Sequence, residues 1–185
     1  MASQPLFEIR DIPGKGKGAI ALEDIKGGTL ILSESILCMT PRIWEGCSRE
    51  ERQSGFANQL RGLNQDQMQA FFDLQNRYSE DGLIEGIMKT NGICSESDAN
   101  TAGIFLLCSR FNHSCLANAV YSWNTTNSYK TIYAVKNIPQ GEEITVSYLA
   151  NEEWMSSRDS AVVRYLCTPD SPIAVLLVMH PVKKS

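Results

Sequence analysis

The chain reads as a mixed α+β fold in which small β-sheets surround a helical insert. Two patterns carry that reading. Short runs with strand character alternate with Gly- and Pro-containing turns on both sides of the middle of the chain. Between them, from about Ser48 to Lys89, apolar residues recur at near-helical intervals. Brief strands interrupted by one block of helices fit segregated elements with small sheets.

Leu6 to Arg10 alternates apolar and polar residues, and Asp11-Ile12-Pro13-Gly14 turns the chain. Gly14-Lys15-Gly16-Lys17-Gly18 then leads into Ala19-Ile20-Ala21-Leu22. Glycine here permits positive φ and close approach of a ligand to the backbone. The common phosphate-binding fingerprints do not fit, because there is no Gly-Lys-Ser/Thr ending and no strand–glycine loop–helix order. A second strand pattern, Thr29-Leu30-Ile31-Leu32, follows the turn Lys26-Gly27-Gly28, so a hairpin-like β unit with a glycine-rich first turn is expected. A solvated hairpin is the plain alternative to a ligand-binding turn.

Ser48 and Glu51 have the spacing of a capping box. Leu60, Leu63, Met68, Phe71, Phe72 and Leu74 follow at near-helical spacing. Two or three helices are expected between about Ser48 and Lys89, their Met and Phe side chains in the core. Asn91-Gly92-Ile93-Cys94 ends the insert, and Ser95 to Gly103, small and polar, reads as a loop. Ala119 to Trp123 and Tyr129 to Val135 read as a strand and its return around the polar turn Asn124 to Ser128. Pro139 and Gly141 make a further turn before a last short strand, Ile144 to Tyr148. Ile25-Lys26-Gly27-Gly28 and Ile138-Pro139-Gln140-Gly141 share turn chemistry without being a repeat. Asn151 to Val163 has the pattern of a final helix.

With 185 residues, 43% of them hydrophobic and 21% charged, the chain suits one soluble domain with a sizeable core. A net charge of −4 and a pI of about 5.2 argue against a nucleic-acid surface and favour a basic partner such as a lysine-rich tail. Solubility alone also accounts for a modest negative charge. The six cysteines are scattered, with no Cys-x-x-Cys pair, and the first ten residues lack a secretory pattern. Free thiols in a reducing, intracellular compartment are therefore expected. The apolar run Ile173 to Met179 has seven residues, against the ~20 that a spanning helix needs, so no membrane span is expected.

The densest chemistry lies in Arg110-Phe111-Asn112-His113-Ser114-Cys115-Leu116-Ala117-Asn118, entered from the apolar run Ile104 to Cys108. Polar groups at the end of a buried segment must find partners or be reserved for a ligand. A surface loop with an ordinary His and a buried Cys is the plain alternative. Three features stand in fixed order: Gly16-Lys17-Gly18, then Asn112-His113-Ser114-Cys115 with Asn118, then Glu143-Ile144-Thr145-Val146-Ser147-Tyr148. Together they resemble the SET-domain protein lysine methyltransferases. The insert and Asn91-Gly92-Ile93 are most similar to the branch with SET and MYND modules and its fungal relatives, although no MYND zinc cluster is present.

The resemblance covers about Leu6 to Tyr148. It implies a SET domain at 1–150 with its insert at about 48–90, followed by an incomplete, atypical post-SET region at 151–185. The implied fold is small curved sheets around a pseudoknot formed by Phe111 to Asn118 and Glu143 to Tyr148. The implied activity is methyl transfer from S-adenosylmethionine to a lysine of a protein or peptide, a histone tail being one candidate. The implied location is nuclear or cytoplasmic, without direct nucleic-acid or membrane binding. By the same resemblance Tyr148 is catalytic and Tyr121 lines the lysine channel. Lys15, Gly16, Lys17, Asn91, Asn112 and His113, with Tyr148, bind the cofactor. Glu143 is expected to be structural.

Three departures qualify the match. Family members close a structural zinc with the central cysteine and a cluster of post-SET cysteines; here Cys115 is followed only by Cys167. Two thiolates do not complete such a site, so no metal is expected. Ala117 stands where proline is usual, and the tail Thr168 to Ser185 has no family character. A catalytically impaired SET module, acting as a binding or scaffold protein, is therefore the alternative function.

Overall fold

A computed structural model describes residues 4–41, 47–95, 98–124, 127 and 129–148. The expected helix at Asn151 to Val163, Cys167 and the tail lie outside the described residues. The chain runs through β1 (Phe7–Ile12), β2 (Gly16–Ala21), β3 (Leu30–Ser35) and β4 (Cys38–Pro41) into the helices α1 (Arg49–Leu60), α2 (Gln65–Phe72) and α3 (Leu83–Asn91). It returns through β5 (Ile93–Ser95), β6 (Asp98–Ile104), β7 (Asn112–His113), β8 (Ala119–Asn124), β9 (Tyr129–Ala134) and β10 (Glu143–Val146). Single 3₁₀ turns occupy Ser79–Asp81 and Cys108–Arg110.

The strands form three sheets, ordered β1-β2-β10-β7, β3-β9-β8 and β4-β6-β5. The expected glycine-rich hairpin is β1–β2, in register from Phe7↔Ala21 to Ile12↔Gly16. The second strand pattern does not join it: β3 leaves to pair with β9. In the first sheet β10 lies antiparallel to β2 but parallel to β7, with Thr145 opposite Asn112 and Val146 opposite His113. That parallel contact brings the two late motifs side by side. The two similar turns also meet, because Ile25 and Ile138 exchange backbone hydrogen bonds of 2.8 Å in both directions.

Ser95 to Gly103, expected as a loop, is instead mostly sheet: β5 and β6 pair with each other, and β6 also pairs with β4. Asp, Asn and Gly have poor strand propensity, which hid the strand in the sequence. Packing explains one of those residues. A Cβ on Gly103 would lie 2.6 Å from the Ile36 side chain and 2.7 Å from Phe105, so only glycine fits this crowded crossing.

The insert is built from local signals. At α1, Ser48 Oγ accepts from Glu51 N at 3.2 Å and Glu51 Oε2 accepts from Ser48 N at 2.7 Å, the reciprocal box expected from the sequence. Asn64 and Gln67 repeat it at α2. Replacing Ser48 by alanine is expected to cost about 1 kcal/mol of stability, read as a shift of the urea midpoint. Phe56, Leu60, Phe71, Leu74, Ile87 and Met88 bury between the helices, while Phe72, 39% exposed, departs from the expectation that the insert's aromatic residues are core. The buried carboxylate of Glu85 is held by Arg52 at 3.0 Å and Lys89 at 2.9 Å, tying α1 to α3.

Ile104 belongs to this helical core, whereas Phe105, Cys108 and Phe111 belong to the core between the sheets, with Ile132, Ile144 and Val146. The apolar run before the central motif is thus the seam between two cores. Burial on both sides of it fixes where the motif emerges.

Candidate functional site

Two distant segments converge on Glu143. Its Oε2 takes an ion pair from Lys15 Nζ at 2.8 Å, and its Oε1 accepts from Asn112 Nδ2 at 2.8 Å. The same Asn112 nitrogen reaches Lys17 O at 3.2 Å. The sheet explains the meeting: β10 sits between β2, which carries Lys17, and β7, which carries Asn112. Gly18 keeps the gap open, because a Cβ there would stand 2.7 Å from Asn112 Nδ2 and 3.0 Å from Glu143 Oε1. Gly18→Ala is expected to displace the Asn112 amide and to destabilise the fold by about 2 kcal/mol, measured by urea unfolding.

His113 links the central motif to the end of the described chain. Its Nδ1 accepts from Tyr148 N at 3.0 Å, and the rings lie 5.3 Å apart at 46°. An accepting Nδ1 leaves the ring proton on Nε2, which faces Cys115 Sγ at 3.2 Å. The sulfur of Cys115 is disulfide-bonded, against the expectation of free thiols, whereas Cys38, Cys47 and Cys108 are free. Among the described residues no group of three or more His, Cys, Asp or Glu is placed to hold a metal.

Burial holds the His113 pKa below its ordinary value. A depressed histidine pKa favours the neutral ring in the fold, so its contribution to stability is complete above about pH 6.5 and is lost as pH falls through the lower folded value. Urea unfolding at about pH 7.5 and about pH 5.5 is expected to show lower stability in acid. His113→Asn, which keeps an acceptor but does not titrate, is expected to lack this share of the loss.

Two tyrosines grip one turn. Tyr148 Oη donates to Phe111 O at 2.7 Å, and Tyr121 Oη donates to Cys108 O at 2.9 Å, so the hydroxyls hold both ends of the 3₁₀ turn Cys108–Arg110. Although Tyr148 is 48% exposed, its hydroxyl is the end turned inward. Burial pushes its pKa up to about 12; Arg77 opposes the rise and Glu143 adds to it. Tyr121 is raised well above its ordinary value by burial, then by the neighbouring Tyr148, Cys108 and Glu34. Both phenols therefore keep their protons at neutral pH.

The geometry brings Lys15, Gly16, Lys17, Asn112, His113 and Tyr148 into one region, with Tyr121 joined through the turn. Asn91 reaches it indirectly. Its Nδ2 donates to Gln75 O and Ile87 O, both at 2.7 Å, and Gln75 lies against the glycine turn, where a Cβ on Gly16 would be 2.8 Å from Gln75 Nε2. Sequence reasoning missed Gln75 and Arg77 on the rim, and Glu34 beneath the turn. No local signal marks Glu34, whose partners Leu107 and Cys108 lie more than 70 residues away. Asn118 was part of the motif but had no assigned role; its side chain ties the central segment to β10.

A family model described as SET domain matches residues 16–149. The histone-lysine N-methyltransferase set5 of Schizosaccharomyces pombe is 31% identical over 145 residues, covering 78% of this chain and 42% of that protein. A protein of Acanthamoeba polyphaga mimivirus, named as SET domain-containing, is 25% identical over 169 residues, covering 75% of this chain and 65% of its own length. The chain thus spans less than two thirds of either relative. A solved structure from Plasmodium falciparum, named for histone methyltransferase, covers 78% of this chain and 98% of its own at 18% identity and a TM-score of 0.45, too slight a likeness to add to the family match.

Proposed function

The chain belongs to the SET-domain family, and from its site we propose that it transfers a methyl group from S-adenosylmethionine to a lysine side chain of a protein. The observation that carries this reading is the double attachment of Tyr148, whose amide is fixed by His113 and whose hydroxyl is fixed by Phe111 O. That arrangement aims a protonated phenol at a region shared by all three motifs.

The residues suit the cofactor. Gly16 and Gly18 carry no Cβ in places that Gln75 Nε2 and Asn112 Nδ2 approach to within 3 Å, so the turn brings main-chain atoms up against the side chains of Gln75 and Asn112. Lys15, Gly16, Lys17, Asn91, Asn112 and His113, with Tyr148, would hold S-adenosylmethionine. When bound, it supplies a sulfonium methyl that a lysine nitrogen takes in line. Tyr148 donates its proton to Phe111 O and keeps oxygen lone pairs for the amine or for weak contacts with methyl hydrogens. A phenol with a pKa of about 12 is unsuited to act as a base near neutrality. The lysine must arrive uncharged, which an apolar channel beside a cation favours. Alignment then supplies much of the rate. Tyr121, its hydroxyl committed to Cys108 O, walls the channel.

Net negative charge supports a basic protein substrate, and the name of the fission yeast relative supports a histone. A nuclear or cytoplasmic location belongs to the same proposal, since a histone substrate would be met there; imaging a tagged chain checks it. No described helix is long and apolar enough to cross a membrane. Calorimetric titration with S-adenosylmethionine, followed by radiolabel transfer to histones and to bulk protein, tests the proposal. Cofactor binding with labelled lysine is the expected result. Binding without transfer would replace it with the scaffold reading, and absence of both would overturn the site.

A further inference from the structure

Beneath the two tyrosines lies a carboxylate that the proposed chemistry does not use. Glu34, on β3, directs both oxygens at the backbone preceding the gripped turn. Leu107 N donates to Oε1 at 2.9 Å and to Oε2 at 3.1 Å, and Cys108 N donates to Oε2 at 2.7 Å. The turn has no side-chain cap of its own from Leu107. Glu34 fills that role from a different sheet strand, more than 70 residues away in sequence.

The turn it holds is the one both phenols read. Cys108 O receives Phe111 N at 3.3 Å and the Tyr121 hydroxyl at 2.9 Å, and Phe111 O receives the Tyr148 hydroxyl. Opposite Glu34 on β9 stands Lys130, which is 2% exposed and places Nζ 5.4 Å from the centroid of the Tyr121 ring. Glu34 therefore acts on the amides of the turn, and its cross-strand neighbour lies over the tyrosine that the turn orients. The cofactor side is held by a separate set of bonds: Lys15 and Asn112 meet at Glu143, and Asn112 also donates to Lys17 O.

We infer that Glu34 is a positioning residue for methyl transfer, setting the Leu107 and Cys108 amides and, through the turn, the two carbonyls that aim Tyr121 and Tyr148. This role rests on the methyltransferase reading. A carboxylate is the suitable group because two oxygens accept from two adjacent amides at once. Glutamine keeps one accepting oxygen and presents an NH₂ donor beside the other amide, while alanine keeps neither.

The test uses the full chain, its Glu34→Gln and Glu34→Ala variants, S-adenosylmethionine and a histone substrate, assayed well below each melting temperature. Glu34→Ala is expected to lower kcat by roughly 10- to 100-fold, the scale of a misaligned reacting group, with cofactor Kd within about 2-fold of the parent. Glu34→Gln is expected to fall between the two, as partial rescue by the surviving acceptor. An unchanged kcat in Glu34→Ala would overturn the role, and so would equal losses of kcat and cofactor affinity, which mark general damage to the fold. A parent chain that transfers no methyl group sinks the functional reading and this role with it. Parent turnover with an unaffected Glu34→Ala sinks this role alone.

Discussion

Replacing Tyr148 by phenylalanine is expected to lower turnover by about 100-fold, with cofactor affinity held within about 2-fold. The two halves of that expectation have separate structural causes. The ring is placed by contacts that phenylalanine retains: the backbone bond to His113 Nδ1 at 3.0 Å and the tilted ring contact at 5.3 Å. What disappears is the hydroxyl. Its proton goes to Phe111 O at 2.7 Å, which leaves its lone pairs for the amine and methyl of the proposed reaction. Because the phenol stays protonated up to about pH 12, it orients without exchanging a proton. The turnover profile of the parent should therefore show no alkaline loss from Tyr148 across the working range. Steady-state assays at saturating and limiting cofactor separate kcat from cofactor binding. An unaltered kcat would remove the catalytic assignment, and a matched collapse of cofactor affinity would reduce the ring to packing.

Legibility in the sequence follows the range of the interactions. The capping box at Ser48 and Glu51 was readable because both partners lie within one helical turn. The strands β1, β2, β8 and β9 were readable from alternation and turn residues, which are local as well. The central strand β6 of the third sheet was not, since Asp98 to Gly103 has loop composition and its strand state depends on β4 and β5. The candidate site divides the same way. Asn112, His113 and Tyr148 stand out because their motifs are distinctive in residue type and order. The resemblance implied that the two late segments meet; how they meet is a parallel pairing of two short strands, a long-range contact that no local pattern encodes. Asn91 was placed on the cofactor by resemblance, yet both hydrogens of its amide serve the insert, through Gln75 and Ile87. Glu34 escaped notice altogether, as one acid among Ser33, Glu34 and Ser35 whose partners are backbone amides in another region.

Asn118→Ala is expected to cost about 3 kcal/mol of stability, more than any other single truncation at the motif crossing. Asn118 is 2% exposed and uses its whole amide as a clasp. Nδ2 donates to Glu142 Oε1 at 3.0 Å and to Glu143 O at 2.9 Å, while Oδ1 accepts from Thr145 N at 2.8 Å. Its own carbonyl receives Val135 N at 2.9 Å, anchoring the residue from the other side. Alanine would strand the Thr145 amide and the Glu143 carbonyl away from water, and each stranded group carries a penalty of about 1–3 kcal/mol. For a domain of this size the loss corresponds to a melting temperature lower by roughly 6–12 °C. Asn118→Asp separates shape from hydrogen-bond direction. It keeps the acceptor for Thr145 N but turns a carboxylate toward Glu142 and the Glu143 carbonyl, so it is expected to be at least as damaging as alanine. Urea and thermal unfolding of both variants decide the matter. A melting temperature within about 2 °C of the parent for Asn118→Ala would mean that the two late segments are held together without their clasp, by the β7–β10 pairing and the apolar contacts of Ile144 and Val146 alone.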